Sequence, residues 1–173
     1  MRLITAYDAA LFDLDGVIYL GPDAIPAAPQ TLAELRRLGT RVGFVTNNAA
    51  RSPGTVAEHL RQLSIEAAAH DVVTSAQASA RLLAERFVSG TAILVLGTSA
   101  LAAEVEAMGL RPVRSAADHP AAVLVGFDPT LTWTDLNEAC HAVQSGAVWY
   151  GCNPDLTRPT ERGLAIGLGA MLQ

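Results

Sequence analysis

Lysine is missing altogether: every one of the 12 basic residues in this 173-residue chain is arginine. Cysteine is scarce as well. Cys140 and Cys152 are too few and too widely spaced for a zinc site or a redox C-x-x-C motif, and they read as two reduced thiols of a cytosolic protein. The histidines at 59, 70, 119 and 141 share no metal-ligand spacing. Long apolar stretches are also lacking. The longest strongly aliphatic run, Ile93 to Leu96, is far too short to span a bilayer. The N-terminus shows neither the basic start nor the apolar stretch of a signal peptide. Positive charge is in the minority, and a formal net charge of −5 argues against a nucleic-acid surface or an anionic membrane patch. The expectation is a soluble, cytoplasmic protein with no nucleic-acid and no membrane partner.

What is present is enough to fold. Half the residues are hydrophobic and only 17% are charged, so a packed globular protein is expected rather than disorder. The length suffices for one sizeable core, or for one and a half small ones. Short apolar runs alternate with helical patterns, the signature of parallel strands joined by crossovers. Ala9 to Phe12 forms the first run and ends in Asp13. Thr31 to Leu38 has leucines at helical spacing, with Pro29 near its start and Gly39 past its end. Val42 to Val45 leads into Thr46-Asn47-Asn48, and Ser52-Pro53 opens a helix with Val56, Leu60 and Leu63 on its buried stripe.

Val72-Val73 reads as a third strand, followed by a helix whose apolar face includes Leu82, Leu83 and Phe87. A second α/β series begins near residue 90. It runs through strands at Ile93 to Leu96, Val123 to Val125 and Val148 to Tyr150, with helices from Ala100 and from Thr132 between them. The boundary is expected near Ser89-Gly90, giving segments 1–89 and 90–173.

The chemistry concentrates in two places. Asp13-Leu14-Asp15-Gly16 puts two carboxylates two residues apart at the end of an apolar strand. Strand periodicity points both the same way, at the carboxyl edge where open parallel sheets bind ligands. Like charges this close repel unless a cation sits between them or one keeps a proton. A magnesium ion bound there could bridge a carboxylate to a phosphate oxygen, Asp13 could attack phosphorus, and Asp15 could protonate a leaving alkoxide. A plain strand-end turn uses the same residue types. Thr46-Asn47-Asn48 follows a neighbouring apolar run, so it opens at the same edge, where a threonine hydroxyl and the following N–H groups could hold a phosphoryl oxygen. Asparagines there also suit an ordinary turn.

Asp13-Leu-Asp15-Gly16-Val-Ile-Tyr-Leu-Gly21 together with Thr46-Asn47-Asn48 resembles the haloacid-dehalogenase-like (HAD) superfamily, specifically its NagD-like phosphatases. The likeness continues through 123–128 and through 153–163 and so covers nearly the whole chain. It implies a Rossmann-like parallel-sheet core with an inserted α/β cap. It also implies a magnesium-dependent phosphatase for small organic phosphate monoesters, such as glycerol phosphate, phosphoglycolate, sugar phosphates or nucleotide monophosphates. By resemblance Asp13 is the nucleophile and Asp15 the acid/base, both at the metal, and Thr46 binds phosphate. Asn47 joins it, and Asn153, Asp155, Arg158 and Thr160 form a polar cap loop toward the substrate, although an Asn-Pro-Asp turn with solvent-facing polar residues needs no ligand. Caps of this size often pair, which makes a homodimer the expected assembly.

Two departures stand out. Ile166 replaces the proline such sequences often have, and the phosphate-binding lysine and later metal-binding acid of the family are absent. Arg51 is the only arginine flanking either motif, and it reads more readily as a solvated loop charge than as a cationic clamp. The expectation is therefore a piece of a phosphatase, its core incomplete and inactive by itself. The rival reading is a non-catalytic α/β binding module that keeps the carboxylate pocket. Gly97-Thr98-Ser99 before a helix resembles a minimal anion-binding terminus, but reads more readily as a simple cap that needs no ligand.

Overall fold

A computed structural model of the chain describes residues 3–160 and 162–171, which leaves Glu161, within the 153–163 run, outside it. The first apolar run forms β1 (Ala9–Asp13). Gly16 follows with φ 80°, a left-handed backbone that side chains resist, and its N–H donates to the Tyr19 carbonyl at 2.8 Å. The short antiparallel strands β2 (Tyr19–Leu20) and β3 (Asp23–Ala24) come next. Helix α1 (Ala28–Arg37) carries Pro29 in its first turn, where a missing N–H costs nothing. Then come β4 (Arg41–Thr46), α2 (Pro53–Gln62) and β5 (Val72–Thr74). Ser52 caps α2, its hydroxyl accepting from the Thr55 N–H at 3.2 Å. The three longer strands pair in parallel in the order β1-β4-β5.

The two faces of this sheet differ. Val42 and Phe44 of β4 pack with Leu32 of α1, with Val56, Ala57 and Leu60 of α2, and with Val72. On the alternate positions Leu11 is 74% exposed, Val45 41% and Val73 49%. Parallel sheets are ordinarily covered on both faces; among the described residues this one is covered on one.

A second unit takes Asn47–Arg51 and the chain from Ser75 onward. It opens with α3 (Ser75–Arg86), β6 (Ala92–Leu96), α4 (Ser99–Ala107), β7 (Arg111–Val113) and β8 (Ala122–Val125). It closes with α5 (Trp133–Gln144), β9 (Val148–Gly151) and the antiparallel hairpin β10 (Thr157–Thr160) and β11 (Gly163–Ile166). Its parallel sheet has the order β7-β6-β8-β9.

Here both faces are filled. Ile93, Val95 and Leu124 meet α3 and α4 through Ala76, Ala80, Leu83, Leu101 and Val105. Leu94, Leu96, Val123 and Val125 meet Ala139 and Ala142 of α5. That is why β6 and β8 read as unbroken apolar runs rather than alternating ones.

The packing divides the chain at Thr74–Ser75, upstream of the Ser89–Gly90 break in the pattern. The reason is α3: Ala76, Ala80 and Leu83 lie at helical spacing and are buried in the second core. Leu82, read from sequence as part of that face, is 40% exposed.

Candidate active site

Parallel pairing sets the geometry of the first carboxyl edge. Asp13 is the last residue of β1 and lies opposite Val45, so Thr46 stands one residue farther along β4, opposite Thr74 of β5. Thr46 and Thr74 are buried, at 3% and 0% exposure, whereas the Asp13 and Asp15 side chains are exposed and Leu14 between them is fully buried. The alternation is the one strand geometry demands. Asp13 Oδ1 accepts from the Leu14 N–H at 2.8 Å, which steadies the carboxylate while leaving its second oxygen available. Asp15 makes an isolated backbone bridge with Tyr19, which ties the turn back on itself.

Two exposed carboxylates two residues apart form a hard-oxygen donor pair, the kind a small divalent cation takes while keeping most of its water. The pair supplies at most two side-chain ligands, and among the described residues no three His, Cys, Asp or Glu side chains gather as a metal-holding group.

The other predicted residues belong to the second unit, and two of them meet directly. Asn47 Nδ2 donates to Asp155 Oδ2 at 2.8 Å, and the Asp155 N–H donates to Asn153 Oδ1 at 2.8 Å. The Arg158 guanidinium lies 4.5 Å from the centre of the Phe127 ring, a cation–π contact that holds it on that face. Thr160 Oγ1 donates to the Gly163 carbonyl at 2.6 Å and closes the hairpin turn.

Sequence reasoning did not find the residues that hold the Asn47–Arg51 segment. Ser75 Oγ donates to the Asn47 carbonyl at 2.8 Å, and Thr98 Oγ1 donates to the Ala50 carbonyl at 3.1 Å. The Thr98 hydroxyl is thus engaged by backbone. Burial pushes the Cys152 thiol up to about 11, only partly offset by a hydrogen bond with Ser79, so it is no thiolate nucleophile at neutral pH.

A strand-end carboxylate pair, a buried threonine ending the neighbouring strand, and a second doubly covered parallel sheet define the class. The chain belongs to the haloacid dehalogenase-like hydrolases, whose family model matches residues 10–111. It is similar to D-glycerol 3-phosphate phosphatase of Mycobacterium tuberculosis, with 48% identity over 96% of this chain and 46% of that protein. It is also similar to the acid sugar phosphatase of Staphylococcus aureus, with 38% identity over 95% of this chain and 62% of that protein.

Among solved structures, glycerol phosphate phosphatase from Mycobacterium tuberculosis in complex with magnesium superposes with a TM-score of 0.92 at 48% identity, covering 97% of this chain and 51% of that one. A p-nitrophenyl phosphatase from Bacillus subtilis, described as putative, gives 0.83 at 32% identity, covering 95% and 63%. The chain spans about half to two thirds of the length of these relatives. No helix among the described residues is long and apolar enough to cross a membrane.

Proposed function

We propose that the protein carrying this chain is a magnesium-dependent phosphatase of the NagD-like group, acting on small organic phosphate monoesters through an aspartyl-phosphate. The observation that carries the reading is the alignment of Asp13 and Thr46 on adjacent parallel strands, one residue apart at the same carboxyl edge. A carboxylate oxygen of Asp13 attacks phosphorus and the ester P–O bond breaks. Asp15 gives its proton to the departing alkoxide, then takes one from the water that hydrolyses the aspartyl-phosphate. The Thr46 hydroxyl and the N–H groups that follow it, from Asn47 on, hold the phosphoryl oxygens. Magnesium, held in part by Asp13 and Asp15, would supply positive charge against the phosphoryl oxygens.

The first sheet is the N-terminal part of the catalytic core and the second is the cap. That holds whether the division is set at 89–90 by sequence pattern or at Thr74–Ser75 by packing. Glycerol phosphate and sugar phosphates are the first substrates to test, since the relatives above are named for them. Arg158, the cation in the predicted cap loop, is the group there suited to an anionic substrate. The two free cysteines suit a cytoplasmic setting, and a homodimer is the proposed assembly.

The test is phosphate release from glycerol phosphate, phosphoglycolate and p-nitrophenyl phosphate, with magnesium and after chelation. Turnover that needs magnesium and vanishes in Asp13→Asn supports the reading. Turnover indifferent to both overturns it.

A further inference from the structure

Asp155 carries the wrong charge to hold a phosphoryl group. A carboxylate aimed at a phosphate dianion repels it and has no proton to donate. Its surroundings give it a different task. Oδ2 accepts from Asn47 Nδ2 at 2.8 Å, across 108 residues of sequence. Around it the backbone is pinned on both sides. The Asp155 N–H donates to Asn153 Oδ1 at 2.8 Å, the Asp155 carbonyl accepts from the Gly169 N–H at 2.8 Å, and the Leu156 carbonyl accepts from the Gly167 N–H at 2.9 Å.

Gly167 and Gly169 are side-chain-free because nothing else fits. A Cβ on Gly167 would overlap the Asp155 carbonyl oxygen, and one on Gly169 would overlap the Pro154 carbonyl. A close-packed backbone seat therefore decides where this exposed carboxylate stands.

The far end of the contact is equally constrained. Asn47 begins the segment Asn47–Arg51, which leaves β4 and belongs to the second unit. Its carbonyl accepts from Ser75 Oγ at 2.8 Å, Ala49 is buried at 3% exposure, and the Ala50 carbonyl accepts from Thr98 Oγ1 at 3.1 Å. Thr46 is the residue immediately before it. Donating Nδ2 to Asp155 removes that amide nitrogen from substrate and leaves the Asn47 backbone N–H as its contribution to anion binding.

We propose that Asp155 is a positioning residue: through the Asn47 carboxamide it sets the path of the backbone leaving Thr46, and it makes no contact with the phosphoryl group. Asn153 belongs to the same device, since its side chain holds the Asp155 N–H. The consequence for catalysis rests on the phosphatase reading above; the placement of the loop does not.

The test uses the whole chain, labelled with ¹⁵N, and follows hydrogen exchange at the Asn47 side-chain amide and at the backbone amides from Asn47 to Ala50. Exchange in β6 reports the fold of each variant. Asp155→Ala is expected to speed loop exchange about tenfold, the scale of one charge-assisted hydrogen bond, with β6 unchanged. Asn47→Asp, which faces two carboxylates against each other, is expected to do the same. Adding Asp155→Asn to it swaps the pair and restores exchange to within about threefold.

The swap also decides the matter if Asp155→Ala disturbs β6. Loop exchange unchanged in Asp155→Ala, or a swap that restores nothing, overturns the proposal. In turnover of p-nitrophenyl phosphate, Asp155→Ala should lower kcat/KM about tenfold. A rise in kcat/KM would mark a carboxylate that faced the phosphoryl group and overturn it. Turnover is read in the complete protein that carries this chain; its absence there in the unmodified form counts against the phosphatase reading alone, because the exchange measurement involves no substrate.

Discussion

Asp13 lies opposite Val45 in the β1–β4 register, one residue short of Thr46, so an exposed carboxylate and a buried hydroxyl finish neighbouring strands at one edge. A nucleophile there can be changed without touching the core. Asp13→Asn keeps an Oδ1 acceptor for the Leu14 N–H, so the fold should be unaltered. Turnover and trapping of an acyl-phosphate should both be lost, by many orders of magnitude in rate. Steady-state kinetics with acid-quench trapping checks this; turnover within about tenfold of the parent would assign the attack to another group.

Asp15, two residues on and also exposed, has a different expected signature. General acid assistance is worth about 10²–10⁴-fold and matters least when the leaving group is already acidic. Asp15→Asn should therefore damage glycerol phosphate turnover far more than p-nitrophenyl phosphate turnover. Equal losses on the two would point to metal positioning as its only role.

Helix α5 makes stability depend on acid. Thr132, through its hydroxyl and its N–H, holds Asp135 below its ordinary value, and the Ala116 N–H and Ser115 hydroxyl do the same for Glu138. A carboxyl whose folded pKa is depressed adds stability that is fully present above its unfolded value and is lost as pH falls through the folded one. The unfolding midpoint of the second unit should fall as pH drops below the ordinary values of 3.8 and 4.5. Thr132→Ala with Glu138→Gln should flatten that slope in urea titrations followed across pH.

The two faces of the first sheet should respond oppositely to mutation. Phe44 is fully buried, and Phe44→Ala is expected to cost about 3–5 kcal/mol. Leu11, on the other face, is 74% exposed, and Leu11→Thr should change stability by no more than about 0.5 kcal/mol. Urea unfolding of the two variants checks the contrast; a large loss in Leu11→Thr would mean that this face is covered in solution.

Local signals carried the elements far. Pro29 and Gly39 bracket α1, Ser52-Pro53 opens α2, and the Thr132–Asp135 pair forms the capping box that starts α5. These rest on backbone groups within one turn, so spacing alone reveals them. Leu82 and Leu83 are equally apolar in the sequence, and only the partner surface of α3 decides that Leu83 is covered and Leu82 is not. The short strands β2, β3 and β7 and the hairpin β10–β11 went unread, being held by pairing more than by any run of apolar residues.

The candidate site divides the same way. Asp13, Asp15 and Thr46 are legible because each follows a strand whose end the apolar pattern marks, and parallel strands put their ends on one edge. By itself the sequence determined the strands that apolar runs mark, the helices that cross between them and the acids at their ends, since these depend on periodicities of two and 3.6 residues. Only the tertiary structure decided that Asn47 meets Asp155 across 108 residues and that Gly167 and Gly169 lie where no Cβ fits. Contacts between segments far apart in the chain depend on the packing of every element between them, and no local pattern encodes that.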